Sequence, residues 1–187
     1  MPFTFQPLDE SAARVVLAWR YPPPYEIYNE KPDSFEQVVQ EVLRPDYHYY
    51  RIAESGDRLV AYCCFGLDAR VSGGDYAAEA LDLGLMVRPD LTGRGRGGEF
   101  AAAVLEFARR TFPHTVWRVT IAEFNQRAQR VWQKVGFRRV QTFLRQGDGL
   151  AFGVWVLEGG NREPSNISLR TWKGRRAPRL TGPANRI

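Results

Sequence analysis

The stretch VRPDLTGRGRGGEF, residues 87–100, decides how the chain is interpreted. It places four glycines and two arginines within residues 93–98 and continues into the alanine-rich segment GEFAAAVLEFARRTF. One glycine is sufficient for a turn, so four of them indicate that a ligand comes close to the main chain. A strand followed by a glycine turn and a helix leaves free N–H groups that bind anions such as phosphates. Arg94 and Arg96 would add charge-assisted contacts.

Two known nucleotide-binding motifs do not fit this stretch well. A P-loop needs Lys followed by Ser or Thr after its last glycine, and neither follows here. The dinucleotide fingerprint GxGxxG is met by Gly93, Gly95 and Gly98, with Glu123 as the acid after the next strand. By itself this fingerprint is a weak signal, and a long segment with its own predicted helices and hairpin precedes it. A nicotinamide-dependent oxidoreductase is therefore the least favoured of the functions considered.

Periodicity along the chain predicts a mixed α/β domain in the order β-α-α-β-β-β-α-β-α-β-β. The predicted helices are DESAARVVLAWR, DSFEQVVQEVLR, GEFAAAVLEFARRTF and NQRAQRVWQKV. The predicted strands are FTFQPL, YHYYRIAE, LVAYCCFG, ALDLGLMV, TVWRVTIA and the two arms of FRRVQTFLRQGDGLAFGVWVLE. The hairpins exclude a wholly parallel sheet. Between the first two helices, the three prolines of YPPPYEIYNEKP favour an extended, rigid segment.

The basic excess of the chain lies near its C-terminus. The net charge is +5, but seven of the 26 Lys and Arg and one of the 21 acids fall within residues 161–187. We therefore divide the chain into a domain at 1–158 and a basic Pro/Gly-rich tail at 159–187. A near-neutral domain argues against nucleic-acid binding. The start of the chain lacks the pattern of a secretory leader, no apolar run is long enough to span a membrane, and the neighbours Cys63 and Cys64 suit a reducing compartment. We expect a cytoplasmic protein.

Two blocks of sequence resemble the GNAT superfamily of N-acetyltransferases. LGLMVRPDLTGRGRGGEF resembles the acetyl-CoA motif of that family, with Thr92 in place of its leading Arg or Gln. NQRAQRVWQKVGF resembles a second family motif through Asn125, Ala128, Trp132, Lys134, Gly136 and Phe137. The resemblance implies a central mixed, mostly antiparallel twisted sheet of about seven strands, flanked by about four helices. It also implies acetyl-CoA as cosubstrate and a primary amine, either a small molecule or a protein N-terminus, as acceptor.

The same resemblance implies which residues bind the cofactor. The main chain of Leu85, Met86 and Val87 would contact the pantetheine arm, which Asn125 would also bind. The diphosphate would lie on a cradle formed by Thr92, Gly93, Arg94, Gly95, Arg96, Gly97 and Gly98. For Asn125 a plain helix N-cap is the alternative.

The sequence departs from the family at a position proposed to act in catalysis. Trp132 stands where the family often has a tyrosine proposed to protonate the leaving thiolate, and an indole N–H is no acid at neutral pH. Trp132 would instead pack on the thioester. Tyr25, Tyr28, Tyr62 and Tyr76 are candidate replacements for the tyrosine. A CoA-binding module or sensor without turnover is the alternative function.

The remaining site predictions concern the amine and its proton. Asp82 is predicted as the general base, acting through water, with Glu79 as the second candidate and a salt-bridged strand acid as the alternative role. Tyr25, Glu26 and Tyr28 of the proline-rich segment are predicted to bind a cationic amine, with Glu30 nearby. No metal is expected, because His48 and His114 lack partners at ligand spacing. The edge of the C-terminal hairpin is where a homodimer would form.

Overall fold

The computed structural model describes residues 3–159, so the predicted basic tail beyond Gly159 lies outside the described residues. Seven strands and four α-helices account for most of this range. The strands are β1 (Thr4–Pro7), β2 (Tyr50–Glu54), β3 (Arg58–Phe65), β4 (Leu81–Val87), β5 (Val116–Ala122), β6 (Arg138–Leu144) and β7 (Ala151–Glu158). The helices are α1 (Glu10–Leu17), α2 (Phe35–Val42), α3 (Gly97–Thr111) and α4 (Gln126–Lys134).

The strands form one mixed sheet in the order β1-β2-β3-β4-β5-β7-β6. Every neighbouring pair is antiparallel except β4 and β5, which are parallel. The predicted fold, a mostly antiparallel sheet of seven strands with four helices, is confirmed. Within residues 3–159, none of the helices is long and apolar enough to cross a membrane.

The β4–β5 pair is joined at one end only. Its register contains two pairs, Leu81 with Trp117 and Asp82 with Arg118. Beyond them β4 stays paired with β3 up to Val87, and β5 stays paired with β7 up to Ala122. The two strands therefore separate in the middle of the sheet and leave a wedge-shaped gap.

Helices cover both faces of the sheet, because each face carries its own apolar cluster. On one face α3 and α4 pack on alternate residues of the central strands, such as Leu83 and Val119. On the other face α1 and α2 pack around Tyr49, Tyr62 and Met86. Side chains of β4 alternate between the two clusters, as a strand buried on both faces requires.

One local prediction was wrong. The proline-rich connector was expected to be extended, but Tyr25–Tyr28 form one turn of 3₁₀-helix. The amide of Tyr25 donates to the carbonyl of Pro22 over 2.8 Å, and that of Asn29 donates to Glu26 over 3.0 Å. The φ angle that proline imposes also suits the first positions of a helical turn, so prolines preceding the turn do not prevent it.

Candidate functional site

The gap between β4 and β5 forms a cleft with mostly apolar walls. Its lining comes from both strands, from α4 and its N-cap, and from the 3₁₀ turn. The lining residues are Tyr28, Leu83, Leu85, Met86, Val119, Thr120, Ile121, Asn125, Ala128 and Trp132. The cleft thus brings together five of the predicted site residues, Tyr28, Leu85, Met86, Asn125 and Trp132.

The main chain of β4 offers hydrogen-bonding groups to this cleft. The Asp82 carbonyl accepts from Gly66 N–H over 2.9 Å, and Arg88 N–H donates to Val60 over 2.9 Å, so even-numbered residues bond towards β3. Because N–H and C=O groups alternate sides along a strand, those of Leu83, Leu85 and Val87 face the gap. The Val87 carbonyl accepts a hydrogen bond from the Tyr21 hydroxyl over 2.9 Å.

The main chain of Met86 does not face the cleft, although it was predicted to contact the pantetheine arm. The same alternation directs its main-chain groups to β3, where it is paired with Tyr62. Only its side chain borders the cleft. Main-chain contacts to a bound arm are therefore available at Leu85 and at the N–H of Val87, whose carbonyl already accepts from Tyr21.

At the open end of the cleft lies the glycine stretch that leads into α3. The helix begins at Gly97 without a side-chain cap on Arg96. Among residues 3–159, no acceptor is found for the N–H groups of residues 94–98. A row of free donors at the positive end of a 15-residue helix is an arrangement suited to binding an anion.

Backbone conformation and packing explain three of the four glycines in this stretch. Gly93 and Gly95 have φ of +73° and +79°, a left-handed conformation that side chains rarely adopt. Gly97 is required by packing, because a β-carbon there would lie 2.6 Å from Cγ2 of Val131 on α4. At Gly98 a β-carbon would meet no atom within 4 Å. The protein itself thus requires three of the four glycines.

The side chains of Thr92 and Arg96 are both bonded to other parts of the protein, although Arg96 was predicted to contact the ligand. The Thr92 hydroxyl donates to the Pro89 carbonyl over 2.8 Å and so closes the preceding turn. The Arg96 guanidinium pairs with Glu54 on β2 and with Glu99 over 3.0 Å. These two carboxylates raise the pKa of Arg96. Arg96 therefore ties the loop to β2, whereas Arg94 is exposed.

Arg127 was not singled out from the sequence. It lies on α4 with Nη1 3.1 Å from where a β-carbon on Gly93 would be. Its Nε donates to the Tyr25 hydroxyl over 2.8 Å, and its guanidinium lies 4.0 Å from the centre of the Tyr25 ring. A lone arginine in a helix has no sequence signal; only the packing of α4 against the glycine stretch brings it there.

Asn125 has two partners within the protein. Its Oδ1 caps α4 by accepting from Ala128 N–H over 3.1 Å. Its Nδ2 donates to the Tyr28 hydroxyl over 3.1 Å. Asn125 is thus an N-cap, the alternative foreseen from the sequence, and it also positions a phenol in the cleft.

Trp132 is buried in the wall of the cleft. It packs edge-on against Phe137 with ring centres 4.9 Å apart and belongs to the larger apolar cluster. The same side chain lines the cavity. Its position is compatible with both core packing and contact with a ligand in the cleft.

Asp82 does not have the surroundings of a general base. Its carboxylate accepts from Arg118 Nε over 2.5 Å and Nη2 over 2.9 Å, and from Arg70 Nε over 2.7 Å. The side chain is 1% exposed. Two guanidinium groups occupy the oxygens that would take a proton, so the structure assigns Asp82 to the salt-bridged role. Glu79, the second candidate, lies exposed in the loop before β4.

The predicted acceptor residues are only partly available. Tyr28 is 9% exposed, and burial raises the pKa of its phenol to about 12. The ring of Tyr25 is covered by Arg127, so a cationic amine would compete with a residue of the protein for that face. Glu26 is exposed at the turn. Among residues 3–159, no group of three or more His, Cys, Asp or Glu side chains is arranged to hold a metal.

Comparison with known proteins points to one family. Residues 14–137 match the Acetyltransferase (GNAT) family. No curated protein is significantly similar in sequence. Several solved structures share the fold at low identity. One is a GNAT-family acetyltransferase from Bacillus anthracis, 14% identical over 84% of this chain and 95% of the other, with a TM-score of 0.65.

Two further structures are similar. The Salmonella typhimurium protein yncA, solved with its cofactor acetyl-CoA, is 17% identical over 90% of this chain and 100% of the other, with a TM-score of 0.59. A spermidine N-acetyltransferase SpeG chimera from Vibrio cholerae and hSSAT is 14% identical over 84% of this chain and 96% of the other, with a TM-score of 0.61. At these identities the similarity shows the fold.

Proposed function

The chain belongs to the Acetyltransferase (GNAT) family, and on this premise we propose that it transfers the acetyl group of acetyl-CoA to a primary amine by direct attack in a ternary complex. One observation carries the proposal. A cleft between two separating strands ends at a row of free N–H groups, so an elongated ligand with an anionic group at one end fits both features.

The roles of the residues follow from this arrangement. The N–H groups of residues 94–98 would hold the diphosphate, and exposed Arg94 and Arg127 beside Gly93 would add positive charge. The main chain of Leu85 and Val87 would bond the pantetheine amides. Trp132 and the Met86 side chain would form the apolar wall beside the thioester.

The protein contributes to the reaction mainly by orientation. The amine would enter at the turn of Tyr25–Tyr28 and reach the thioester within the cleft, where fixed geometry replaces a bimolecular encounter. A β4 N–H facing the gap would stabilise the oxyanion. Since Asp82 is occupied by two arginines, the amine would lose its proton to water.

Calorimetry with acetyl-CoA tests the proposal. We expect the wild type to bind, and Gly95→Ala to bind at least about tenfold more weakly, because the +79° φ at Gly95 disfavours a side chain and the row of N–H groups would shift. Gly149→Ala is the matched control. Gly149 has a φ of +71° and equally open surroundings, but lies in the β6–β7 turn. No binding by the wild type, or equal loss in both variants, would refute the cradle.

The acceptor class is tested by a thiol-release assay over polyamines, aminoglycosides, amino acids and peptide N-termini. Spermidine is included because similar folds are named as spermidine N-acetyltransferases. Exposed Glu26 at the turn supports a cationic acceptor. We expect steady turnover with at least one amine.

A CoA-binding sensor is the second candidate, favoured by Trp132 in place of the family tyrosine. It predicts tight binding of acetyl-CoA but no thiol release with any amine. Steady turnover would exclude it, and the same assay therefore separates the two functions.

A further inference from the structure

The hydroxyl group of Tyr28 is held in the cleft by one hydrogen bond whose direction is settled. Asn125 Oδ1 accepts from the Ala128 amide, which fixes the orientation of the Asn125 side-chain amide. Nδ2 is then the atom that faces Tyr28, and it can only donate. The Tyr28 oxygen is therefore the acceptor, and its own proton is not used in this bond.

The phenol proton has no acceptor in the described part of the chain. Tyr28 makes ring contacts with Tyr21 and Phe124, and its hydroxyl bonds to Asn125 alone among residues 3–159. The residue is 9% exposed and lines the same cleft as Trp132. A buried O–H group without an acceptor usually has one in a bound ligand or an ordered water.

We infer that the Tyr28 phenol donates a hydrogen bond to the sulfur of the departing CoA thiolate, an inference that rests on the proposed function. The donor comes from the turn between α1 and α2, while the α4 position where the family often has a tyrosine is occupied by Trp132. Tyr28 would thus contact the reacting atoms directly.

The amine nitrogen forms the bond to the carbonyl carbon, the C–S bond breaks, and its electron pair stays on sulfur. Burial raises the pKa of Tyr28 to about 12, above the ordinary value of about 8.5 for a thiol, so the phenol keeps its proton and stabilises the thiolate as a donor. The proton lost by the attacking amine reaches sulfur through solvent.

Tyr28→Phe tests this role, because it keeps the ring and removes the O–H. We expect kcat to fall at least about tenfold while KM for acetyl-CoA and the amine changes less than twofold. Tyr50→Phe removes a phenol hydroxyl on β2, outside the cleft, and is the control. Adding Trp132→Tyr to Tyr28→Phe places a phenol on α4, and we expect it to recover part of the lost kcat.

A second measurement keeps the inference testable if Tyr28→Phe unfolds. In the wild type, a donor to the thiolate lowers the pKa of bound CoA, so CoA should bind more tightly at pH 9 than at pH 7. Acetyl-CoA, which has no thiol, corrects for protein groups near the phenol, namely Tyr21, Tyr25 and Arg145. A bound thiol one pKa unit below about 8.5 would gain roughly sixfold in affinity relative to acetyl-CoA.

The outcomes separate this inference from the proposed function. If the wild type turns over and Tyr28→Phe keeps its kcat within twofold, the inference is wrong and the acetyltransferase proposal stands. An unchanged affinity ratio of CoA to acetyl-CoA between pH 7 and pH 9 also overturns it. If the wild type binds acetyl-CoA but never releases thiol, the proposed function itself fails.

Discussion

Two neighbouring glycines at the start of α3 differ in whether the structure has room for a side chain. Gly97 faces Val131 of α4, where a β-carbon would be 2.6 Å from a methyl group. Gly98, the next residue, faces open space. Since Val131 is β-branched and its side chain is stiff in a helix, it cannot easily turn away from a new methyl group at position 97.

We predict that Gly97→Ala lowers the free energy of unfolding by about 1–3 kcal/mol, because α3 must move away from α4. Gly98→Ala should leave stability unchanged or raise it by up to about 1 kcal/mol, since alanine favours the helix. Urea unfolding of the two variants gives the comparison. Equal effects at both positions would show that packing against Val131 is not the reason for Gly97.

At the scale of elements, the separation of β4 from β5 begins at a buried ion pair. Asp82 and Arg118 form the last register pair of the two strands, and Arg70 bonds the same carboxylate. The Tyr76 ring lies under both guanidinium groups, with Arg118 4.8 Å from its centre. The Tyr76 hydroxyl shares a hydrogen bond of 3.0 Å with Thr120, which lines the cleft. This network fixes where the cleft starts.

Asp82→Asn should therefore destabilise the fold by about 3–5 kcal/mol, because it leaves two arginines with an uncompensated charge, one of them buried. Glu158→Gln is the control. Its pair with Arg138 is exposed and should contribute less than about 1 kcal/mol. Denaturant unfolding measures both. A stable Asp82→Asn protein that has lost only kcat would restore the general-base role that we predicted from the sequence.

Across the whole molecule, burial gives several phenols and a thiol a common pH dependence. Burial raises the pKa of Tyr28 to about 12, and raises the pKa of Tyr21, Tyr49 and Cys63 as well. In the unfolded chain these tyrosines would lose their protons near pH 10. The folded form still holds its protons at that pH, so ionisation favours the unfolded state.

The free energy of unfolding should consequently fall as the pH rises from about 10 towards 12, after a smaller decline from about 8.5 due to Cys63. Tyr28 alone accounts for about 2–3 kcal/mol of this loss. Urea unfolding between pH 8 and pH 11.5 measures it, and Tyr28→Phe should show a shallower decline than the wild type. Equal stability at both ends of that range would contradict the prediction.

The sequence by itself determined the elements and their order, and it predicted a phosphate-binding role for residues 93–98. Periodicity and caps act over a few residues, so the strands and helices could be predicted from short segments. The two family motifs added the fold and the cosubstrate, because they combine residue type with spacing. The one failure at this level, the turn at Tyr25–Tyr28, came from a φ angle that suits both extended and helical chain.

Only the tertiary structure decided what the polar side chains do. Asp82 could be a base or an ion-pair partner until Arg70 and Arg118, 12 and 36 residues away, were placed beside it. Tyr28 reaches the cleft through Asn125, 97 residues further on, and Gly97 is explained by Val131. The ionisation, burial and unpaired hydrogen-bond donors of a side chain depend on neighbours that are distant in the chain. They therefore cannot be predicted from the local sequence.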